Sequence, residues 1–169
     1  MIKFVFKKVP FMKSLFFALV LCSGLFAFQN NAEARGSILD VHLGFKYVGG
    51  AGGALGARFA LPIVPNLVPG VDNVLYFSIG GDLYLYRDSV LAIGIPIGLN
   101  WSFYFHEKFS AFVELGISPA FALGGDFLIG LGVGWLGAAL GFRFHFTEAL
   151  ALHIRLGSPY SSLGLEFAF

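Results

Sequence analysis

The stretch LAIGIPIGLNWSFYF, residues 91–105, decides between the two ways in which a chain this apolar can fold. Its odd-numbered positions are all large and apolar, from Leu91 to Phe105, whereas its even-numbered positions are mostly small or polar. A repeat of two residues places the apolar side chains on one face of a β-strand, but it would scatter them around a helix. The stretch therefore predicts a strand with one apolar face and one small or polar face.

The same alternation recurs on both sides of this stretch and predicts an eight-stranded protein. Turn-forming pairs such as Gly49-Gly50 and Ser158-Pro159 separate the alternating runs. The predicted strands span residues 38–48, 53–62, 74–86, 89–105, 108–122, 126–146, 148–157 and 160–169. Ten strands are the alternative, because the apolar parity changes at Trp135-Leu136, which indicates a bulge or an extra turn.

The composition indicates that these strands lie in a membrane. Hydrophobic residues make up 57% of the chain and charged residues 12%, with a mean hydropathy of +0.78. Soluble domains carry about 25% charged residues, so this chain lacks the polar surface to cover itself in water. A membrane-spanning helix needs about 20 uninterrupted apolar residues, whereas a barrel strand needs about 10 alternating ones. We therefore predict an all-β fold: a closed antiparallel transmembrane β-barrel whose N- and C-termini both lie on the periplasmic side.

Residues 1–34 have the features of a signal peptide. A lysine-rich start precedes the apolar run 15–28, and Ala32-Glu33-Ala34 supplies a small-x-small cleavage site. We therefore predict export through the Sec pathway and a barrel domain over residues 35–169, with a retained N-terminal helix as the alternative. A lipoprotein is not expected, because Leu21 rather than a small residue precedes Cys22. Cleavage removes this cysteine, so neither disulfides nor thiolate chemistry are expected.

Three segments depart from simple alternation. Residues 62–73, with prolines at 62, 65 and 69, form a predicted connection that is long for the periplasmic side of a barrel. Pro96 cannot donate to a strand ladder, so it predicts a local bulge. Residues 121–142 contain Asp126 as their only charged residue, and a glycine-rich transmembrane helix is the alternative there. The glycines between residues 130 and 134 nevertheless recur at every second position, which favours a strand.

The inward parity of the predicted strands carries the ionisable residues. An eight-stranded barrel has an interior just wide enough to be filled by side chains, and buried charges there must pair. We therefore predict a salt-bridged lumen in which Arg143 and Arg155 lie within reach of carboxylates. The predicted network comprises Asp40, Arg58, Asp82, Glu114, Arg143, Arg155 and Glu166, and the remaining inward ionisable residues are His42, Lys46, His145 and His153. No cofactor is expected, and no metal, because the histidines have no short-range ligand spacing.

Three functions are compatible with such a barrel. The first is a structural or surface-interaction role with a filled lumen, the second is a narrow, porin-like pore, and the third is a lipid-modifying enzyme. His145, His153, Ser162 and Glu166 supply the residue types of a hydrolytic triad on the last three predicted strands, but their spacing defines no site, so an enzyme is not expected. The predicted outer connections are too short to offer much surface for ligand recognition; they span residues 49–52, 87–88, 123–126 and 158–159.

Aromatic residues near the strand ends are candidates for the interfacial girdles of a membrane barrel. The candidates are Tyr47, Tyr76, Trp101, Tyr104, Trp135 and Tyr160. Tyr104 shares the luminal parity, so Trp101 and Trp135 are the two residues for which the girdle assignment is retained.

The last ten residues, YSSLGLEFAF at 160–169, resemble the terminal strand of Gram-negative outer-membrane barrels. Those proteins end on phenylalanine and have apolar residues at alternate positions before it; the matching residues here are Phe169, Phe167, Leu165, Leu163 and, less closely, Tyr160. The resemblance implies an outer-membrane location, contact with outer-membrane lipids, and recognition by the barrel assembly machinery, with Phe167 and Phe169 as the assembly signal.

In size and strand number the chain is similar to the OmpA/OmpX-type eight-stranded barrels. This resemblance implies fold and location, but it implies no activity, no ligand and no oligomeric state. The net charge of +1 gives no indication of nucleic-acid binding either.

Overall fold

All regular secondary structure in the described part of the chain is β-strand, as the alternation predicts. The computed structural model describes residues 36–46, 52–86, 91–123 and 136–169. Its strands are β1 (Ile38–Lys46), β2 (Gly52–Pro65), β3 (Asn73–Tyr86), β4 (Leu91–Gly94), β5 (Ile97–His106), β6 (Phe109–Ile117), β7 (Ala120–Leu123), β8 (Leu136–His145), β9 (Leu150–Ser158) and β10 (Ser161–Ala168). Within these ranges no helix is long and apolar enough to cross a membrane. The predicted signal peptide lies outside the described residues.

The strands form one antiparallel sheet that closes on itself. The first strand pairs with the last as well as with the second, so that His42 lies opposite both Gly164 and Gly56. β4 and β5 are two parts of one barrel strand, because both pair with β3. β6 and β7 are likewise two parts of the next barrel strand, because β6 pairs with β5 and β7 pairs with β4. The barrel therefore has eight strands, which decides the sequence alternatives of eight and ten in favour of eight.

A proline interrupts each of the two divided strands, because proline has no backbone N–H to give to the ladder. The irregularity predicted at Pro96 is confirmed as the break between β4 and β5. A second break at Pro119, between β6 and β7, was not predicted. The two breaks adjoin across the sheet, since the backbone N–H of Ile95 donates to the carbonyl of Pro119 at 2.9 Å.

The prediction of a long connection over residues 62–73 is wrong. β2 continues to Pro65 with a bulge between Pro62 and Val64, so the connection is limited to residues 66–72. The prolines are tolerated because β1 pairs with β2 only as far as Ala60, and the rest of β2 pairs with β3 alone. Strands accept proline at positions that pair with a neighbouring strand on one side only.

The two faces of the barrel wall differ as the alternation predicts. Neighbouring residues such as His42 and Leu43 are 2% and 63% exposed, because odd-numbered side chains on β1 point outward and even-numbered ones point into the lumen. The lumen has a small apolar cluster near the chain ends, formed by Ile38, Val74 and Tyr76, and a second cluster towards the opposite end, which includes Tyr84 and Tyr160. The charged side chains lie between these two clusters.

Candidate functional site

All seven charged residues of the predicted luminal network point into the barrel. Arg58, Asp82, Arg143, Arg155 and Glu166 are buried, and Asp40 and Glu114 are partly buried. β1, β2, β3, β6 and β10 supply them from even-numbered positions and β8 and β9 from odd-numbered ones, because the pleat turns every second side chain inward. The side chain of Lys46, the remaining inward cation, lies outside the described part of the structure.

Glu114 connects two arginines from different parts of the barrel wall. Arg155 on β9 donates from its Nη2 to Glu114 Oε1 at 2.8 Å. Arg58 on β2 donates from its Nη1 to the same oxygen of Glu114, which is on β6. Because two other barrel strands separate β2 from β6 around the wall, this bridge crosses the interior instead of following the wall.

Tyr160 is the centre of a second set of luminal hydrogen bonds. Its hydroxyl donates to Asp82 Oδ2 at 2.6 Å and accepts from Arg58 Nη2 at 2.8 Å. The Nε2 of His42 lies 2.6 Å from the same hydroxyl oxygen. Tyr84 adds a donor to Asp82 Oδ2 at 3.0 Å. A single buried phenol therefore joins an arginine, an aspartate and a histidine from three strands.

Arg143 is the centre of a third set of luminal contacts. Its Nε donates to Glu166 Oε2 at 2.5 Å and its Nη1 donates to Ser102 Oγ at 2.8 Å. The guanidinium lies over the ring of Phe112, 4.1 Å from the centroid, in cation–π geometry. Asn100 accepts from Ser102 and lies 3.5 Å from Arg143 Nη2. The arginine is thus held by one charge, two polar groups and an aromatic face.

Asp40 differs from the other luminal carboxylates, because its ion-pair partners among the described residues are histidines alone. His42 Nδ1 lies 3.0 Å from Asp40 Oδ1, and His153 Nε2 lies 3.9 Å from the same oxygen. The other ring nitrogen of His153, Nδ1, lies 3.5 Å from Glu166 Oε1. His153 is 1% exposed, and neither of its ring nitrogens makes a hydrogen bond.

Glycines on the luminal face make room for these long side chains. A Cβ at Gly56 would overlap the Asp82 carboxylate and the His42 ring, and a Cβ at Gly141 would overlap the ring of Phe112. The volume that these glycines leave is occupied by the network. Beside Arg58, Glu114 and Arg155 a cavity of about 10 Å³ is left, which is room for about one water molecule.

The four residues suggested for a hydrolytic site do not assemble into one. The hydroxyl of Ser162 and both nitrogens of His153 are buried without a hydrogen-bond partner, so they do not form a nucleophile–base pair. His145 instead bonds through its Nε2 to Ser110 Oγ at 2.8 Å. Glu166 is bonded to Arg143.

The aromatic residues divide between the two faces. The girdle assignment is wrong for Tyr76 and Tyr160, because both are luminal and 0% exposed. Tyr104 is also luminal, since its hydroxyl lies 3.1 Å from that of Tyr76. Trp101 has the outward parity and donates from its Nε1 to Asn73 Oδ1 at 3.0 Å. The remaining two candidates, Tyr47 and Trp135, lie outside the described residues, as does the bulge predicted at Trp135-Leu136.

The residues predicted as the assembly signal are outward-facing in the closing strand. Phe167 is opposite Leu39 of β1, and the backbone N–H of Phe169 donates to the carbonyl of Ser37 at 3.0 Å. Both side chains are exposed on the apolar outer face, where lipid would surround them. Recognition by an assembly machinery stays a prediction.

Sequence reasoning missed the uncharged members of the network, Tyr84, Asn100, Ser102 and Tyr160. Each has the inward parity of its strand, so the signal was present. The predicted network contains charged residues alone, although buried charges need hydroxyl and amide partners as much as they need opposite charges.

No protein-family model matches the chain, and no curated protein sequence matches it. Solved structures do resemble it. A de novo designed transmembrane β-barrel has a TM-score of 0.54 at 13% sequence identity, covering 82% of this chain and 98% of that chain. Neisserial surface protein A (NspA) has a TM-score of 0.53 at 13% identity, covering 79% and 94%. The outer membrane protein Ail of Yersinia pestis has a TM-score of 0.50 at 10% identity, covering 80% and 100%.

At these identities the likeness concerns the fold alone, and one of the similar barrels is a design. The closed eight-stranded pairing and these likenesses agree with the architecture expected from the alternation and from the terminal strand. The chain therefore has the fold of the small, OmpA/OmpX-type transmembrane β-barrels.

Proposed function

We propose that the protein is an integral outer-membrane barrel with a side-chain-filled lumen and a structural or surface-interaction role. The observation that carries the proposal is the bridge from Arg58 through Glu114 to Arg155, which joins separated strands across the interior. In a hydrated pore these side chains would lie along the wall with water around their charges. Here they meet in the middle, where they occupy the path that an ion would need.

Burial of the arginines supports the same proposal. Arg58 and Arg155 are 5% and 3% exposed, which places their charges in a medium where pairing is required. The cavity beside them has room for about one water molecule. A barrel of eight strands that is filled in this way is expected to be closed to ions, with stability as the main contribution of its luminal charges.

An outer-membrane location is supported by the outward apolar faces, the barrel fold, the predicted signal peptide and the terminal-strand resemblance. Membrane fractionation tests it: the protein is expected in the outer membrane, with a folded band that migrates differently on gels after heating. Recovery as a soluble periplasmic protein, or a helical far-UV circular dichroism spectrum, would contradict the proposal.

Planar-bilayer recording tests the filled lumen. The wild-type barrel is expected to give negligible steady conductance, whereas a Glu114→Ala, Arg155→Ala double variant is expected to leak because it removes two of the three crossing side chains. The matched control is Leu115→Ala with Ile154→Ala, which shortens the outward neighbours on the same two strands and is expected to stay closed. A steady wild-type conductance whose ion selectivity changes in Arg155→Ala would favour the narrow pore instead.

The proposal contains no catalytic step. The hydrolytic group suggested by residue types lacks a bonded nucleophile and base among the described residues, since the Ser162 hydroxyl and both His153 ring nitrogens have no hydrogen-bond partner. Lipid hydrolysis by the purified barrel is therefore expected to equal that of Ser162→Ala. Turnover that is lost in this variant would require an enzymatic role.

A further inference from the structure

Three luminal side chains from three strands converge at one point of the barrel interior. Asp40 on β1, His153 on β9 and Glu166 on β10 each offer a donor atom, and these atoms all lie within 4.8 Å of one another. A carboxylate, an imidazole and a second carboxylate form a donor set that suits divalent transition metals. The ligands come from separate strands, which is why no short-range spacing in the sequence indicates them.

The distances between His153 and the two carboxylates are too long for hydrogen bonds. Its Nδ1 lies 3.5 Å from Glu166 and its Nε2 lies 3.9 Å from Asp40, which is longer than the roughly 2.7–3.2 Å of a hydrogen bond. An imidazole binds an ion through one nitrogen, so one of these two carboxylates must reach the ion from the other side of the ring. The three donor atoms lie within 4.8 Å of one another, whereas two ligands about 2.0–2.2 Å from one Zn²⁺ ion are at most about 4.4 Å apart, so the donor atoms must move closer together when the ion binds. Carboxylate torsions are soft, so small rotations close the remaining difference.

His153 also provides an observation that is independent of the cluster. It is 1% exposed and both of its ring nitrogens lack a hydrogen-bond partner, although a buried imidazole normally has one. A ligating nitrogen would be satisfied by the metal.

The charges of the lumen favour a cation at this position. The described luminal side chains include four carboxylates and three arginines, and each arginine is paired with a carboxylate other than Asp40. Asp40 is therefore the described luminal carboxylate that has no arginine partner, and its own partners, His42 and His153, carry a positive charge only when they are protonated. In an interior that disfavours unpaired charge, a divalent ion between Asp40 and Glu166 would compensate it.

The surrounding residues hold the two carboxylates in place. His42 Nδ1 lies 3.0 Å from Asp40, and Arg143 Nε donates to Glu166 at 2.5 Å. Hydrogen bonds to the ligands are the usual outer support of a metal site, because they orient the carboxylates before the ion binds.

We propose that Asp40, His153 and Glu166 form a binding site for a divalent transition-metal ion of the Zn²⁺ type. The nitrogen ligand disfavours Ca²⁺ and Mg²⁺, which prefer oxygen ligands alone. A bound ion would join β1 to β9 and β10 next to the seam where the first and last strands close the barrel. This inference does not depend on whether the lumen conducts.

Calorimetric titration of the detergent-purified, chelator-treated protein with ZnCl₂ tests the site. We expect one saturable site per chain, an affinity at least tenfold lower in His153→Gln, and an unchanged affinity in His145→Gln. His145 is the matched control because it is also a luminal histidine, but it bonds to Ser110 and is not part of the cluster. Zn²⁺ should also raise the temperature at which the folded gel band disappears in the wild type and His145→Gln, and not in His153→Gln.

Three results would overturn the proposal. They are no saturable binding by the wild type, equal affinity in His153→Gln, and binding that is lost in His106→Gln but kept in His153→Gln, which would indicate the exposed surface histidine. If His153→Gln does not fold, Asp40→Asn replaces it, since that variant removes a ligand charge at the most exposed of the three positions. Full affinity in Asp40→Asn would then contradict the site.

Discussion

Arg143 and Glu166 are on strands that do not adjoin, and the Nε of Arg143 reaches over the intervening β9 to donate to Glu166 Oε2 at 2.5 Å. Both side chains are buried, so each charge depends on the other for compensation. The pair also holds the Arg143 guanidinium against the Phe112 ring. It is thus a connection between two barrel strands that is independent of the backbone ladder.

The first prediction concerns this pair. Arg143→Ala is expected to lower the free energy of unfolding by about 3–5 kcal/mol, because it leaves the buried Glu166 without its arginine partner. Urea unfolding in lipid vesicles, followed by circular dichroism, measures the change. The double variant Arg143→Ala, Glu166→Ala should lose less than Arg143→Ala alone, and Glu148→Ala on an exposed turn should change stability by less than about 0.5 kcal/mol. Equal losses for the single and double variants would show that the two charges are not coupled.

The second prediction concerns the space beneath Phe112. Gly141→Ala is expected to destabilise the barrel by about 1–3 kcal/mol, because the new Cβ would overlap the Phe112 ring and displace it from Arg143. Gly53→Ala is the matched control: it is also a strand glycine, but a Cβ there meets nothing within 4 Å. That variant should be neutral or gain up to about 1 kcal/mol from the lower entropy of the unfolded chain. The same urea titration compares them, and a tolerated Gly141→Ala would mean that the ring can move freely.

The sequence allowed the faces of the barrel to be predicted better than the contacts inside it. Strand parity alone placed Arg58 and Glu114 on the inner face, although they are 56 residues apart. Which inward charges meet depends on the stagger of the strands around the barrel, and parity carries no information about that stagger. The histidine-only environment of Asp40 is a consequence of the stagger and could not be predicted.

The irregular positions illustrate the same limit. The break at Pro96 could be predicted from the sequence, since a proline in an alternating strand removes a ladder donor whatever its neighbours are. Pro119 also lacks a ladder donor. Its break lies next to the break at Pro96 only because the strand register places Pro119 beside Ile95. The three prolines of the segment 62–73 predict a loop, whereas β2 includes two of them because its pairing with β1 stops at Ala60, opposite the first residue of β1.

The third prediction concerns the proposed assembly signal. Phe169→Ala is expected to reduce the amount of folded barrel in the outer membrane, because the closing strand loses an aromatic side chain on its lipid-facing side. Phe105→Ala is the control, since Phe105 is exposed to a similar extent, 66% against 71%, but lies on β5 away from the closing strand. Quantitative blotting of outer-membrane fractions compares them. Similar levels in the two variants would indicate that Phe169 contributes ordinary lipid contact and no recognition.

The last prediction concerns the hydroxyl at the centre of the lumen. Tyr160→Phe keeps the ring that both Arg58 and Arg155 approach, at 5.6 and 5.1 Å from its centroid, and removes only the oxygen. Asp82 then loses a donor, and Arg58 and His42 lose an acceptor, all inside the barrel. Because buried polar groups that lose their partners are costly, we expect a loss of about 1–3 kcal/mol in the free energy of unfolding.

Ser162→Ala is the matched control for Tyr160→Phe. It also removes one buried luminal hydroxyl near the start of β10, where Tyr160 lies, but this hydroxyl has no hydrogen-bond partner. Its removal is therefore expected to be neutral or slightly stabilising, because an unsatisfied buried group is replaced by an apolar one. Urea unfolding midpoints of the two variants, measured in the same vesicles, give the comparison. A Tyr160→Phe barrel as stable as Ser162→Ala would mean that the charges around Asp82 compensate one another without the phenol, and that the arginine–carboxylate pairs alone hold the lumen closed.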